Sequence, residues 1–248
     1  MFQPIRTDRL LLRPTRLDDV DDVLARRSDP EVAEFQDWTL PYTRERAEQS
    51  VTQAMSLDGP TVDEWWMLTV ADAADTTVYG DLAVLLTWQG RSAEIGYTFA
   101  RRWWGHGFAS EAAEALVAHL FDDLGVHRVE AKLHPDNAAS AMLLERIGML
   151  FEGHTKSSFW LNGEHSDDWI YGMTRTDWEA WRDRPRSQPA TVRLVEIDAD
   201  SAHSVRRLVT HKSQERFVAP VWASYGDALF PEVIDGAPVV PWMRAVEA

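Results

Sequence analysis

The chain reads as an α/β (α+β) protein built on a mixed sheet, and two observations predict this. Along residues 1–187 the hydrophobic period changes in the order strand, two helices, three strands, helix, strand, helix, two strands. Strands joined by short hairpin loops come first and strands separated by long helices come later, so antiparallel and parallel pairing must coexist. With 248 residues, 45% of them apolar, and only 13 Gly and 12 Pro, the chain is long enough for a sizeable core.

Each element has a local cause. Residues 7–17 (TDRLLLRPTRL) make a first strand. Asp18 is expected to cap a helix in DDVDDVLARRSD, where Val20, Val23 and Leu24 recur at i, i+3 and i+4, and Ser28-Asp29-Pro30 stops it. Thr43 opens a second helix, TRERAEQSVTQAMSL, which Gly59-Pro60 ends. EWWMLTVAD, TVYGDLAVLLTW and SAEIGYTFA then follow a period of two or short apolar runs, joined by the hairpin loops DAADTT and QGRS. A long helix is expected over 109–124, with Gly125 as its C-terminal cap. HRVEAKLH is a strand, Asp136 is expected to cap NAASAMLLERI, and Gly148 ends that helix. Two last strands, at 150–161 and 166–175, close on Asn162-Gly163, a strong hairpin signal. A Pro/Arg/Ser linker at 184–190 separates a first domain, 1–183, from 191–248, where TVRLVEI and DADSAHSVRRLVTHK repeat the strand-then-helix opening.

Composition narrows the function classes. Twenty-five Lys and Arg against 40 Asp and Glu give a net charge of −15. Residues 188–248 hold six basic and eight acidic residues, so the imbalance lies almost entirely in the first domain. A field of that sign disfavours nucleic acid or an anionic membrane and favours cationic partners, although surface solubility accounts for it equally well. Without cysteine there are no disulfides, thiolate metal sites or cysteine nucleophiles. The eight histidines are scattered, and no metal site is expected. Twelve tryptophans read as core more than as a ligand platform. No apolar run approaches the roughly 20 residues that span a bilayer, and the N-terminus lacks a signal-peptide pattern, so the expected compartment is the cytoplasm.

The sharpest chemical signal is EIGYTFARRWWGHGFASEAAEALVAHLF, a strand, a glycine turn and a helix. Gly105 and Gly107 let the backbone bend tightly and let a ligand approach it. The first N–H groups of the helix have no intrahelical partner and, with the helix dipole, suit a pyrophosphate; Arg102 adds a cation beside them. A dinucleotide fingerprint competes, because Ser110 follows Gly105-x-Gly107 at the third glycine position and Glu130 could act as the ribose acid, but Glu130 lies mid-strand. No Lys-Ser/Thr pair follows the glycines, which excludes a P-loop. A plain tight turn with close helix–sheet packing is the remaining reading.

RRWWGHGFASEA resembles the acetyl-CoA motif of the GNAT superfamily of N-acetyltransferases, Q/R-x-x-G-x-G/A, with Arg102, Gly105 and Gly107 at its named positions. TDRLLLRP, AEIGYTF, HRVEAKLHPDNAASAMLLERIGMLFEG and DDWIYGM resemble, in matching order over residues 5 to 182, the ribosomal-protein (RimJ/RimL-like) subfamily. The resemblance implies a GNAT fold, a mixed, mostly antiparallel sheet with a central splayed pair of parallel strands flanked by helices. It implies acetyl-CoA as co-substrate, with backbone groups of Tyr97, Thr98 and Phe99 along the pantetheine arm. Trp104, Gly105, His106, Gly107, Phe108 and Ala109 would hold the pyrophosphate, and Asn137 and Ser140 would lie beside the thioester. Asn137 as a helix cap and Ser140 as a first-turn residue are the alternatives.

The implied reaction is acetyl transfer to a primary amine, a protein N-terminus or a small molecule, by direct attack in a ternary complex. The amine must lose a proton. Charge developing on the thioester oxygen wants a fixed donor, for which a backbone N–H near residues 97–99 is the candidate, typically worth about 2.7–4 kcal/mol. Ser140 is the candidate to protonate the departing thiolate. The base is less well marked, because Phe159 and Leu144 occupy positions where relatives carry Glu or Tyr; Glu94 and a water relay are the two candidates. Residues 191–248 resemble the opening of a second GNAT module that stops before any glycine turn. Partner expectations are a cationic amine, no nucleic acid and no membrane, with a homodimer left open; a non-catalytic acyl-CoA-binding or scaffold protein is the alternative function.

Overall fold

Leu10, Leu12, Leu68, Val70, Leu82 and Val84 recur at every second position along their strands, and all six are fully buried, because one sheet face carries the main core. The computed structural model describes residues 2–161, 163–187 and 191–247. It divides into two compact units, Met1–Arg182 and Asp183–Ala248.

In the first unit the strands are β1 (Ile5–Arg6), β2 (Leu10–Pro14), β3 (Trp65–Asp72), β4 (Val78–Thr87), β5 (Ser92–Phe99), β6 (Arg128–Leu133), β7 (Leu150–Leu161) and β8 (Glu164–Thr174). They form one sheet in the order β1-β2-β3-β4-β5-β6-β8-β7. Every neighbouring pair is antiparallel except β5 and β6, which are parallel. That parallel ladder is short, joining Ser92, Ala93 and Glu94 to Arg128, Val129 and Glu130. Beyond it β5 runs on to Phe99 paired with β4, and β6 runs on to Leu133 paired with β8. The two strands therefore splay.

The helices are α1 (Val20–Arg27), α2 (Pro30–Ala33), α3 (Arg44–Met55), α4 (Phe108–Ala118), α5 (Ala138–Arg146) and α6 (Arg175–Arg182). α4 and α5 supply Ala112, Ala113, Leu116, Val117, Ala141 and Leu144 to the main core. α1 to α3 build a second cluster around Val23, Trp38, Tyr42, Ala47 and Val51. On the sheet face opposite the main-core leucines, the register lines up Arg13, Thr69, Asp81 and Thr98 across β2 to β5, and all four are buried. This polar row is satisfied from α1 and the turn before it. Arg13 makes a two-pronged pair with Asp19 at 2.8 Å for each bond, Thr69 donates to Asp19 at 2.9 Å, and Arg26 pairs with Asp81.

Local expectations need four corrections. Among the described residues Asp18 caps nothing: the first helical segment opens as a 3₁₀ turn (Leu17–Asp19) after Arg16, and the carboxylate of Asp19, its third residue, accepts the Arg16 N–H at 2.8 Å. Asn137, not Asp136, caps α5, accepting the Ser140 N–H at 3.0 Å. The long helix starts at Phe108, and its end (His119–Asp123) widens into a π-turn that buries both Leu120 and Phe121. Two short helices escape the periodicity: α2, with Asp29 as cap, and α6, which seats Trp178 in the core. Asn162 lies outside the described residues, while Leu161 pairs with Glu164 and Gly163 takes a φ of 86°, as a tight hairpin requires. Residues 188–190 of the expected linker also lie outside them.

The second unit holds β9 (Arg193–Glu196), α7 (Ala199–Arg206), α8 (Val221–Leu229), a small hairpin of β10 (Val233–Ile234) and β11 (Ala237–Pro238), and β12 (Arg244–Glu247). β12 pairs antiparallel with β9. No helix of the described residues is long and apolar enough to cross a membrane.

The Arg13–Asp19 pair carries the first prediction. Both side chains are at most 5% exposed. Burial opposes ionisation of Asp19, but hydrogen bonds from Arg13, Arg16 and Thr69 outweigh it and hold the carboxyl below its ordinary value. A depressed folded-state pKa stabilises above the unfolded value of about 3.9, and that stabilisation is lost as pH falls through the folded one. Asp19→Asn leaves Arg13 buried beside a neutral amide and is expected to cost about 3–5 kcal/mol in urea unfolding at pH 7. The gap between wild type and variant narrows as the pH is lowered below about 4.

Candidate active site

The glycine turn is held open by its neighbours. Gly105 and Gly107 have φ of 76° and 79°, a region that costs L residues strain, and Gly107 is the N-cap of α4. Among the described residues the backbone N–H groups of residues 105–110 have no hydrogen-bond partner. They are the free donors of a helix start plus those of a left-handed turn, an anion cradle. The indole N–H of Trp103 is buried without a partner beside them. Underneath, Tyr79 stacks on Phe108 at 4.4 Å and packs against Trp103 at 4.6 Å.

The start of β2 clamps the turn. Arg9 donates to the His106 carbonyl at 3.1 Å and to Glu111 at 2.6 Å, and lies 4.7 Å from the Phe108 ring centroid. Glu111 also accepts from Thr7 at 2.5 Å and from the Arg9 N–H at 3.2 Å. Burial acts against its charge, yet these donors keep the Glu111 carboxyl below its ordinary value. Sequence reasoning missed both residues; their signals are the Thr-Asp-Arg-Leu start of β2 and an acid in the first turn of a helix. Glu111→Gln is expected to lower stability by about 1–2 kcal/mol, the size of charge-assisted bonds discounted for the exposure of Arg9, measured by chemical unfolding.

Two cavities meet at the splay. The first, of about 510 Å³, is lined by Tyr97, Thr98, Phe99, Trp104, Gly105, Gly107, Phe108, Ala109, Asn137 and Ser140, which brings together ten of the residues singled out in the sequence. Arg102 and His106 do not line it. Arg102 lies 4.0 Å from Asp22, and His106 bonds the Trp104 carbonyl at 2.8 Å. Arg146, at the end of α5, lines it instead and makes no ion pair among the described residues. The Phe99 carbonyl is taken by the Trp104 indole at 2.8 Å. Glu130, weighed as a ribose acid, bonds Arg128 at 3.3 Å and lines neither cavity.

The second cavity, of about 490 Å³, shares Phe35, Gln36, Tyr97 and Thr98 with the first and is lined further by Glu94, Lys132, His134, Phe159 and Asp168. Glu94 is ion-paired with Lys132 at 2.7 Å. Burial works against the charge of Lys132, but Glu94 and Glu130 raise its pKa. Leu144, at the position where relatives carry a tyrosine, is fully buried in the core. Between the cavities the Tyr97 hydroxyl meets Ser140 Oγ at 2.6 Å. Burial pushes the Tyr97 phenol above its ordinary value, with the Ser140 bond acting the other way, so the phenol is protonated at neutral pH.

An open row of N–H donors, a gap between strands and a second chamber fit a long phosphate-bearing thioester and its acceptor, and comparison with known proteins agrees. Residues 9–150 match the acetyltransferase (GNAT) domain. The uncharacterized N-acetyltransferase p20 of Bacillus licheniformis is 30% identical over 180 residues, 71% of this chain and 99% of that protein. The [ribosomal protein uS5]-alanine N-acetyltransferase of Escherichia coli is 31% identical over 88 residues, 36% of this chain and 45% of that enzyme. A GNAT-family acetyltransferase structure from Bacillus anthracis superposes with a TM-score of 0.62 at 25% identity, covering 70% of this chain and 99% of that one. RimL, the ribosomal L7/L12 alpha-N-protein acetyltransferase in complex with coenzyme A, shares the fold with a TM-score of 0.61 at 22% identity, covering 69% of this chain and 98% of RimL. With its domain match spanning more than half of the sequence, the chain belongs to the GNAT family of acetyl-CoA-dependent acetyltransferases.

Proposed function

We propose that this protein transfers the acetyl group of acetyl-CoA to a cationic primary amine, a protein N-terminus or a small molecule, by direct attack in a ternary complex. The observation that carries this reading is the meeting of two cavities at Tyr97 and Thr98, one beside the open amides of residues 105–110, the other reaching the opposite sheet face. Acetyl-CoA supplies an already activated acyl carbon and a thiolate leaving group, so no covalent enzyme intermediate is needed.

The amides of residues 105–110 and the Arg146 guanidinium would receive the phosphates. The inner edge of β5, which has no ladder partner after Glu94, would pair with the pantetheine amides and offer an N–H to the thioester oxygen. Ser140 Oγ would give the departing sulfur a proton and recover through solvent the one the acceptor ammonium loses, with the Tyr97 hydroxyl at 2.6 Å holding Ser140 in place. A buried phenol that resists ionisation keeps its proton and serves as a fixed hydrogen-bonding partner. Asn137, whose side chain caps α5, would hold Ser140 in register through the 3.0 Å bond to its N–H. Glu94 enters as a carboxylate on the acceptor side whose charge Lys132 already balances. Its conversion to Gln is expected to cost less than about tenfold in kcat, below the usual range for a general base.

Ribosomal-protein acetyltransferases among the relatives favour a protein N-terminus, and the −15 net charge favours a cationic acceptor of either kind. Residues 191–248 are read as the opening of a second acetyltransferase-like module, supported by the order strand, helix, helix, strand, and they contribute no cofactor turn.

The test is thiol release from acetyl-CoA with polyamines, aminoglycosides and peptides bearing free N-termini. Amine-dependent release is expected, falling by about 10²-fold in kcat for Ser140→Ala with the KM for acetyl-CoA little changed. Gly107→Trp, which forces a side chain onto a φ of 79° at the cradle, is expected to abolish release and the thermal shift caused by CoA. Silence across the panel with a retained thermal shift would instead support a binding protein.

A further inference from the structure

Four carboxylates line the acceptor-side cavity: Asp37, Asp81, Glu94 and Asp168. Asp37 is exposed, Asp81 is paired with Arg26 and Arg27, and Glu94 with Lys132. Asp168 differs. It is 8% exposed, and its carboxylate has a single hydrogen bond, from Ser158 Oγ to Oδ2 at 2.9 Å. Among the described residues Oδ1 has no partner, and no Lys, Arg or His lies within ion-pair distance. A carboxylate on a cavity wall with one neutral donor, its Oδ1 open to the cavity, has acceptor capacity for a cation that arrives with hydrogen-bond donors.

The strand beside it is shaped to keep it that way. The register of β7 against β8 slips between Thr155 and Phe159, and Ser157 takes a φ of 50°, a bulge. Asp167, on the other face of β8, holds the bulge by accepting the Ser157 N–H at 2.9 Å and His154 Nε2 at 2.8 Å. The bulge brings the hydroxyl of the exposed Ser158 onto Asp168 and within 2.7 Å of Thr155 Oγ1. Phe159 and Leu161 form an apolar wall on the same cavity. The sheet register puts Asp168 on the face that carries Lys132 and Glu94, and in the stretch where β5 and β6 have parted.

We propose that Asp168 is the residue that binds the ammonium group of the acceptor, with Ser158 orienting its carboxylate, so that the site selects an alkyl primary ammonium over an uncharged amine. This rests on the transferase reading above. The shared chemistry is the alkylammonium head, whether of a peptide N-terminus or of a small polyamine.

The experiment is steady-state thiol release at saturating acetyl-CoA for wild type, Asp168→Asn and Ser158→Ala. Acceptors are a tripeptide with a free α-amine, an alkyl diamine, and an aniline that is neutral at pH 7. Asp168→Asn is expected to raise KM for the alkyl acceptor by about tenfold or more, the worth of one hydrogen bond to a charged group, and to narrow the preference over the aniline. The KM for acetyl-CoA should stay within about twofold, because no cofactor contact changes. Ser158→Ala, which keeps the carboxylate but removes its donor, is expected to raise the acceptor KM by about two- to fivefold. It also decides the matter if Asp168→Asn gives no cooperative melt. Wild-type turnover with unchanged acceptor KM in the folded variants overturns the role of Asp168. Absence of wild-type turnover with every amine overturns the transferase reading, and this assignment with it.

Discussion

The rest of the site depends on one broken ladder. β5 and β6 pair for three residues and then part, each still hydrogen-bonded to its outer neighbour. Backbone N–H and C=O groups must be paired or solvated, so the inner edges after Glu94 and Glu130 are unspent donors and acceptors in the middle of a sheet. A strand edge of that kind is a template for an extended ligand. It also makes a passage between the helix-bearing face of the sheet and the face under α1 to α3, which is the geometry a two-substrate transfer needs.

Holding such a gap open requires stiffness on both sides. One side is fixed by the Arg9–Glu111 clamp and the aromatic group under the glycine turn, which keep the amides of residues 105–110 aimed outward. The other is fixed by the row from Arg13 through Thr69 and Asp81 to Thr98, which ties α1 to the sheet through Asp19 and Arg26. Both devices join segments far apart in sequence. The site is thus carried by the scaffold more than by its loops.

The element order and the glycine turn were legible in the sequence because they are local: a change of period, two glycines and a helix start occupy consecutive residues. Asp19 and Asn137 were one residue away from the expected caps, since which of two adjacent polar side chains faces the helix start is decided by tertiary partners, Arg13 and Thr69 for Asp19. α2, at four residues, is too short for periodicity to show, while α6 is as long as α1 and its only large apolar residues are Trp178 and Trp181, three apart. Arg102 reads as a cofactor cation from its motif position, yet the structure points it toward Asp22, and Arg146, 44 positions further along the chain, lines the cavity instead. Asp168 lies in the DDWIYGM segment, but nothing in that segment marks it as chemical. Its distinction is the absence of a counter-ion, which only the register of β7, β8 and β6 reveals.

The central claim is that residues 105–110 and the inner edge of β5 are unfilled hydrogen-bonding positions that coenzyme A completes. Amide hydrogen exchange with and without coenzyme A measures this residue by residue. Slowing is predicted at the amides of residues 105–110 and 95–99, with little change on β2 and β3, whose ladders are already complete. Slowing confined to other segments, or none despite binding, would contradict it.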